Sequence, residues 1–213
     1  ISGPIFNLML TLGVNPNKQV TIYNGFDLET KTSNSRNSES NRILCVNHIQ
    51  RRKRIQDAIL TLSILINEYP DLHLSIVGDV FDHAYLAELI NLTNQLGLTE
   101  KVKFLGLRND VMDLMTNSKA LILCSEHEGF GWVILEAFAS RLPVVSSNVD
   151  GPAMIIENNQ NGFLVPVGDI TGYSQSIKKI INEPLFVKQI CDQACERLRN
   201  HVSVQSMVEK IAN

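Results

Sequence analysis

Two patches of this 213-residue chain carry side chains at spacings that can do chemistry. The first is SEHEGFGWVILEAFASRLPVVSS (125–147), where an apolar, strand-like ALILC (120–124) gives way to a polar turn and then a helical pattern. Gly129 and Gly131 bracket Phe130 at that turn, and glycine lets backbone N–H groups come close to a ligand. A helix starting there directs its partial positive charge at the same point, which suits a phosphate. Glu128 stands in the turn and Glu136 in the helix, which would place them ~12 Å apart along the axis if every residue between were helical. Such a separation does not suit an acid–base pair acting on one atom. It suits two contacts on different parts of an extended ligand, such as a sugar hydroxyl and a ribose diol, the latter a habit of dinucleotide sites.

The second patch is His48 followed by Arg51, Arg52, Lys53 and Arg54, directly after the strand-like ILCVN (43–47). Arginine offers a two-pronged donor and lysine a point charge, so the cluster can neutralise a diphosphate. Plainer readings stand beside these. Glu128 also reads as a solvated loop charge, Glu136 as a carboxylate with a backbone or lysine partner, and Lys53 as an exposed helix start. Arg51, Arg52 and Arg54 divide evenly between phosphate contacts and solvated charges, and His48 between a phosphate contact and a structural residue. Trp132, the single tryptophan, reads as helix packing rather than a stacking platform, and His83 and His127 as surface residues.

Both patches must be positioned by what precedes them. From Asn41 onward, short apolar runs at 43–47, 72–78, 102–106, 120–124, 143–147 and 162–166 alternate with amphipathic stretches at about 54–68, 83–96, 110–118, 131–140, 152–158 and 171–182. Several runs are apolar at nearly every position, the mark of strands covered on both faces. Leu62, Leu65, Ile66 and Tyr69 recur at helical spacing, and Gly97 closes the second helix as a left-handed cap would. Repeated strand–helix alternation predicts a doubly wound, mostly parallel α/β sheet with helices on both faces, whose ligands bind beyond the C-terminal ends of its strands. Both patches follow strands, so both belong to that edge. Outside this core, 3–13 reads as helix, 19–25 as strand, 30–41 as a polar loop, and about 185–199 and 203–212 as tail helices.

Composition narrows the setting. Nineteen Lys and Arg against 22 Asp and Glu leave a net charge of −3, so no global positive field draws the molecule onto nucleic acid or anionic lipid, and an anion site must be local. The longest apolar stretch, AILTLSILI (58–66), falls well short of the ~20 residues of a membrane-spanning helix. Cys45, Cys124, Cys191 and Cys195 form no C-x-x-C pair, which favours a reducing compartment over a disulfide or metal framework. The Asn91 sequon lies inside a helical pattern and is taken as chance. The chain opens at Ile1 without an initiator Met, as expected for a piece of something longer.

With these residues in view, the chain resembles family-four glycosyltransferases of the GT-B type. Glu128-x7-Glu136 with Gly129-Phe130-Gly131, Leu135-Glu136-Ala137 and Leu142-Pro143-Val144-Val145 is similar to that family's central block. Asn24-Gly25-Phe26-Asp27, Ile76-Val77-Gly78-Asp79, Phe104-Leu105-Gly106 and Asn161-Gly162-Phe163-Leu164-Val165 resemble its other landmarks in order. The resemblance implies the C-terminal half of a GT-B fold, Rossmann-like, and the donor half of a retaining, metal-independent hexosyltransferase with no cofactor beyond its nucleotide diphosphate sugar. It implies residues 1–18 as a remnant of the N-terminal domain and linking helix, 19–184 as the donor-binding domain, and 185–213 as helices packing back toward the N-terminal domain. The acceptor would be held by that missing domain. A cytoplasmic location is expected, with peripheral membrane contact left open and no nucleic-acid partner.

Carried over residue by residue, the resemblance gives Lys53 the donor phosphates and Glu128 the donor sugar, with Arg52 and His48 beside the phosphates. Gly129, Phe130 and Gly131 would present backbone groups to the sugar, Glu136 would hold the ribose hydroxyls, and Leu107 and Arg108 would line the nucleobase pocket. Two departures stand out. Asn47-His48 replaces the usual Gly-Arg, which leaves a weaker ligand whose charge varies near neutral pH, and Met154 replaces a common Glu in Asp150-Gly151-Pro152-Ala153-Met154. Two other functions compete. One is a module that binds nucleotide or nucleotide sugar without transfer. The other is a nicotinamide-binding domain, which lacks G-x-G-x-x-G after the first strand.

Overall fold

The structure is a computed structural model and describes residues 11–15, 40–201 and 208. The expectations for 3–10, 19–25, 30–39, 203–207 and 209–212 fall outside the described residues, as does most of the proposed 1–18 remnant.

Each apolar run identified in the sequence is a strand: β1 Arg42–Val46, β2 His73–Val77, β3 Val102–Gly106, β4 Ala120–Leu123, β5 Val144–Ser147 and β6 Phe163–Val165. The connecting helices are α1 Ile55–Leu65, α2 His83–Gln95, α3 Val111–Thr116, α4 Trp132–Ala139, α5 Asp150–Ile155, α6 Ile170–Asn182 and α7 Pro184–His201. Their ends follow local chemistry. The Asp82 carboxylate accepts from Tyr85 N at 2.8 Å to start α2, and Asp169 accepts from Gly172 N at 2.9 Å to start α6. Gly97, at φ +67, takes the expected left-handed position after α2. The helix expected at 152–158 begins earlier, at Asp150, and ends at Ile155.

All six strands run parallel in the order β3-β2-β1-β4-β5-β6. Strand order therefore reverses between β1 and β4, and the crevice at their C-terminal ends is where such sheets take ligands. β1 is covered on both faces, as its unbroken apolar run requires. Ile43 and Cys45 join a core with α1, α2 and α6, while Leu44 joins a second core with α3, α4 and α5. Helix α7 serves both: Val187, Ile190 and Cys191 pack into the first core, Ala194 and Leu198 into the second. The first tail helix thus packs back across the sheet, while the second, expected at 203–212, lies outside the described residues apart from Val208. Arg197 fixes it to α5, pairing with Glu157 and donating to the Met154 carbonyl at 3.0 Å. All four cysteines are buried and none is in a disulfide, and burial pushes the Cys45 thiol up to about 12.

One glycine sets how closely the first two strands leave the sheet. Gly78 has φ +146, and a Cβ on it would lie 2.1 Å from the Asn47 carbonyl oxygen. No side chain fits there without moving the backbone that floors the crevice. Gly78→Ala is expected to lower unfolding free energy by about 3 kcal/mol. Chemical denaturation of the variant against the native chain measures it.

Candidate functional site

Lys53 reaches the crevice through a short, constrained turn. It ends a short 3-10 turn, Arg51–Lys53, and is only 7% exposed. The next residue, Arg54, is left-handed at φ +46, a costly conformation for a long side chain. Its guanidinium compensates by forking onto the buried Asp57, Nε to Oδ2 at 2.7 Å and Nη2 to Oδ1 at 3.2 Å, and by meeting Glu126 at 3.1 Å. Those bonds raise the Arg54 pKa further above its ordinary value, so the turn is locked by a permanent charge.

The loop after β4 supplies the counter-charge. Glu126 N donates to Arg52 O at 2.8 Å, which ties this loop to the one after β1, and Ser147 Oγ donates to Ser125 O at 2.6 Å, which ties it to β5. Lys53 Nζ then meets Glu128 Oε2 at 2.6 Å, with the Glu128 side chain 21% exposed. The reading of Glu128 as a solvated loop charge is thereby replaced by a largely desolvated ion pair. Gly131 follows at φ +88 and opens α4. A Cβ on Gly129 would meet nothing, so that glycine is not demanded by packing. Gly151 is: a Cβ there would lie 2.5 Å from the Glu128 carbonyl oxygen, which already accepts from Gly151 N at 3.0 Å.

These loops enclose a cavity of about 280 Å³. Its apolar lining is Val46, Val77, Leu107, Val111, Trp132 and Val133, and its polar lining includes Asn47, His48, Lys53, Arg108 and Glu128. A neighbouring hollow of about 430 Å³ is lined by Arg52, Glu126, His127, Glu128, Gly129 and Asp150, among others. Glu128 borders both. The structure therefore brings Lys53, Glu128, His48, Leu107, Arg108 and Gly131 to one cavity, and Arg52 and Gly129 to the next.

Three expectations need revision. The cationic patch does not converge: Arg51 pairs bidentately with Glu88 and also meets Asp82, and Arg54 is taken by Asp57 and Glu126. Lys53 alone of that run lines the smaller cavity. Trp132 is not packing for its helix. It is 46% exposed on the cavity wall, edge-on to Phe130 at 5.5 Å between ring centroids. Glu136, half-buried, is not among the residues lining either hollow. It lies one turn further along α4, on the side shared with Trp132 and Val133 by helical spacing. Phe130 likewise stands beside the cavity rather than in its lining.

Other features were not read from sequence. Backbone bonds from Ile49 N to Asp79 O and from Phe81 N to Ile49 O, at 2.8 and 3.1 Å, zip the loops after β1 and β2 together. They bring His48 and Phe81 face to face, ring centroids 4.2 Å apart and planes within 14°. Beside them, Asn47 Nδ2 is buried without a hydrogen-bond partner, a condition that in a native protein calls for an explanation. The clue for Gly151 lay in its place after β5, and for Arg54 in Asp57 three residues on. Phe81 carried no signal that separates it from an ordinary loop residue.

Among the described residues no group of three or more His, Cys, Asp or Glu side chains could hold a metal ion, and no helix is long and apolar enough to cross a membrane. Residues 27–200 match the family described as Glycosyl transferases group 1. The chain is 30% identical over 210 residues to the N-acetyl-alpha-D-glucosaminyl L-malate synthase of Bacillus anthracis, covering 94% of this chain and 53% of that protein. It is 26% identical over 170 residues to the glycogen synthase of Mycobacterium tuberculosis, covering 80% of this chain and 41% of that one. The crystal structure of Anabaena HepE in complex with UDP superposes with a TM-score of 0.89 at 25% identity, covering 99% of this chain and 61% of HepE. The chain thus spans about half the length of its Bacillus anthracis relative.

Glu128 is the group that keeps the Lys53 ammonium neutralised while the cavity is empty. Glu128→Gln is expected to destabilise the chain by about 2 kcal/mol. Inorganic pyrophosphate should restore more of that loss in the variant than it adds to the native chain, because it supplies the missing anion. Thermal unfolding with and without pyrophosphate decides the matter, and an equal response in both proteins would count against Lys53 as an anion seat.

Proposed function

The chain belongs to the group 1 glycosyltransferases, and on that premise we propose that it is the half of the enzyme that holds a nucleoside diphosphate sugar and stabilises the departing diphosphate. The observation that carries this reading is the cavity at the strand-order reversal, where an apolar wall and a desolvated lysine stand side by side. A nucleoside needs the first and a diphosphate the second. HepE, which shares this fold at 25% identity, is described in complex with UDP and with UDP-glucose.

In this reading Val46, Val77, Leu107, Val111 and Trp132 flank the base, and Arg108, paired with Asp110, rims it. Glu136 accepts from the ribose hydroxyls one turn below. Lys53 and the backbone N–H groups at the start of α4 face the diphosphate, with Glu128, Gly129, Phe130 and Gly131 turned toward the hexose. Transfer breaks the bond from the sugar's anomeric carbon to the terminal phosphate oxygen, which keeps the electron pair. An acceptor hydroxyl forms the new bond at that carbon and passes its proton to the departing diphosphate oxygen. The protein's largest contribution is charge stabilisation of the leaving diphosphate by groups already in place. Glu128 is committed to Lys53 and so is poorly suited to act as a covalent nucleophile. The retaining course is drawn from the family resemblance, as are catalysis without a metal and the division into residues 1–18, 19–184 and 185–213. Four buried cysteines outside any disulfide support a reducing, cytoplasmic setting.

The share of the relatives that the chain covers supports a second statement about these residues taken alone: they bind the donor and transfer nothing, because the acceptor side of the cleft belongs to the other half. Assaying transfer with this chain and with the complete enzyme separates the two. In the complete enzyme, Lys53→Ala and Glu136→Ala are each expected to lower turnover by about a hundredfold. Arg51→Ala, which removes a surface pair with Glu88, should leave it unchanged. In the native chain UDP should raise the unfolding temperature, and Lys53→Ala should erase that shift. Near-native turnover of both Lys53→Ala and Glu136→Ala would overturn the assignment.

A further inference from the structure

His48 occupies the position where the resemblance expects an arginine, and an imidazole is shorter and offers one or two N–H donors against the five of the guanidinium it replaces. A short ring that swings freely is a poor substitute for a pre-organised fork. The structure shows what restrains it. β1 and β2 go on pairing beyond their ends, with a parallel bridge between Ile49 and Val80 and with Ile49 N donating to Asp79 O. The Ile49 carbonyl accepts from both Phe81 N and Asp82 N, at 3.1 and 3.0 Å. This backbone clasp presents the Phe81 ring flat against His48, at 4.2 Å and 14°.

Phe81 is 61% exposed, so it contributes little to either core. Its ring is matched to one neighbour only among the described aromatic contacts, and that neighbour lines the cavity with Lys53 and Glu128. The Asn47 amide, whose Nδ2 has no hydrogen-bond partner, lies in the same lining, on the wall that an acceptor-rich ligand would meet.

We propose that Phe81 is a positioning residue for the donor's diphosphate: stacked on His48, it fixes the imidazole in the cavity so that a ring N–H donates to a phosphate oxygen. The inference rests on the donor reading above and adds to it a residue outside the cavity lining. Restricting one rotamer-rich side chain before the ligand arrives is worth about two- to tenfold in affinity. Phe81 acts only through His48, so its effect must vanish when His48 is gone.

The test is calorimetric binding of UDP, GDP and ADP, and of the nucleoside matching whichever binds tightest, to the complete protein. The variants are Phe81→Ala, Phe81→Leu, Phe81→Tyr, His48→Ala and the double variant His48→Ala with Phe81→Ala. Phe81→Ala and Phe81→Leu should weaken the diphosphate about two- to tenfold and leave the nucleoside unchanged, and Phe81→Tyr should bind like the native protein. Phe81→Leu keeps apolar bulk without a flat face, so it carries the test if the alanine variant folds poorly. The double variant should bind no more weakly than His48→Ala. Native-like diphosphate binding by Phe81→Leu, equal losses for nucleoside and diphosphate, or losses that multiply in the double variant would each overturn the role of Phe81 while leaving the donor reading intact. A native protein that binds none of the three diphosphates overturns both.

Discussion

Two charges drawn out of water, Lys53 and Glu128, hold the site together. Desolvating an ammonium and a carboxylate costs several kcal/mol each unless their geometry is good, and here they meet at 2.6 Å across the point where strand order reverses. That contact explains features on both sides that are otherwise odd. Arg54 accepts a left-handed backbone because its fork onto Asp57 fixes the turn that delivers the lysine. Gly151 has no side chain because the Glu128 carbonyl lies where one would be. The Lys53 cation is therefore already in place at the crevice, and its partner there is a carboxylate rather than bulk water.

The sheet makes this encounter unavoidable. β1 sends its chain toward α1 and β4 sends its chain toward α4, and those helices cover opposite faces. The two loops part from neighbouring strands and leave a crevice between them. Each loop carries one partner of the ion pair, and the backbone bond from Glu126 to Arg52 keeps the parting small. Chemistry at the centre is thus set by topology first and by side chains second.

Much of this was legible in the chain. Runs such as ALILC and PVVSS are apolar on successive positions because both their faces are covered, and every such run is a strand. Lys53 and Glu128 stood out because each follows a strand with glycines or cations beside it. What periodicity could not convey is which charges are already spoken for. Arg51 and Arg54 look like Lys53 in a list of residues, yet Glu88 on α2 and Asp57 on α1 claim them. The exposure of Trp132 was hidden for a similar reason: it begins an otherwise apolar helix whose first turn projects past the sheet edge into the cavity wall. Pairing and exposure of this kind are tertiary facts, and single-sequence patterns do not encode them.

Helix α7 touches both cores, Val187 and Ile190 on one side and Ala194 and Leu198 on the other. A strap that crosses from face to face ties the two faces of the sheet together, since neither can shed the helix without exposing apolar surface of its own. A boundary drawn at Pro184 because the last strand is over would leave two greasy seams uncovered. The chain beyond β6 therefore covers apolar surface on both faces of the sheet whose β1 and β4 frame the crevice.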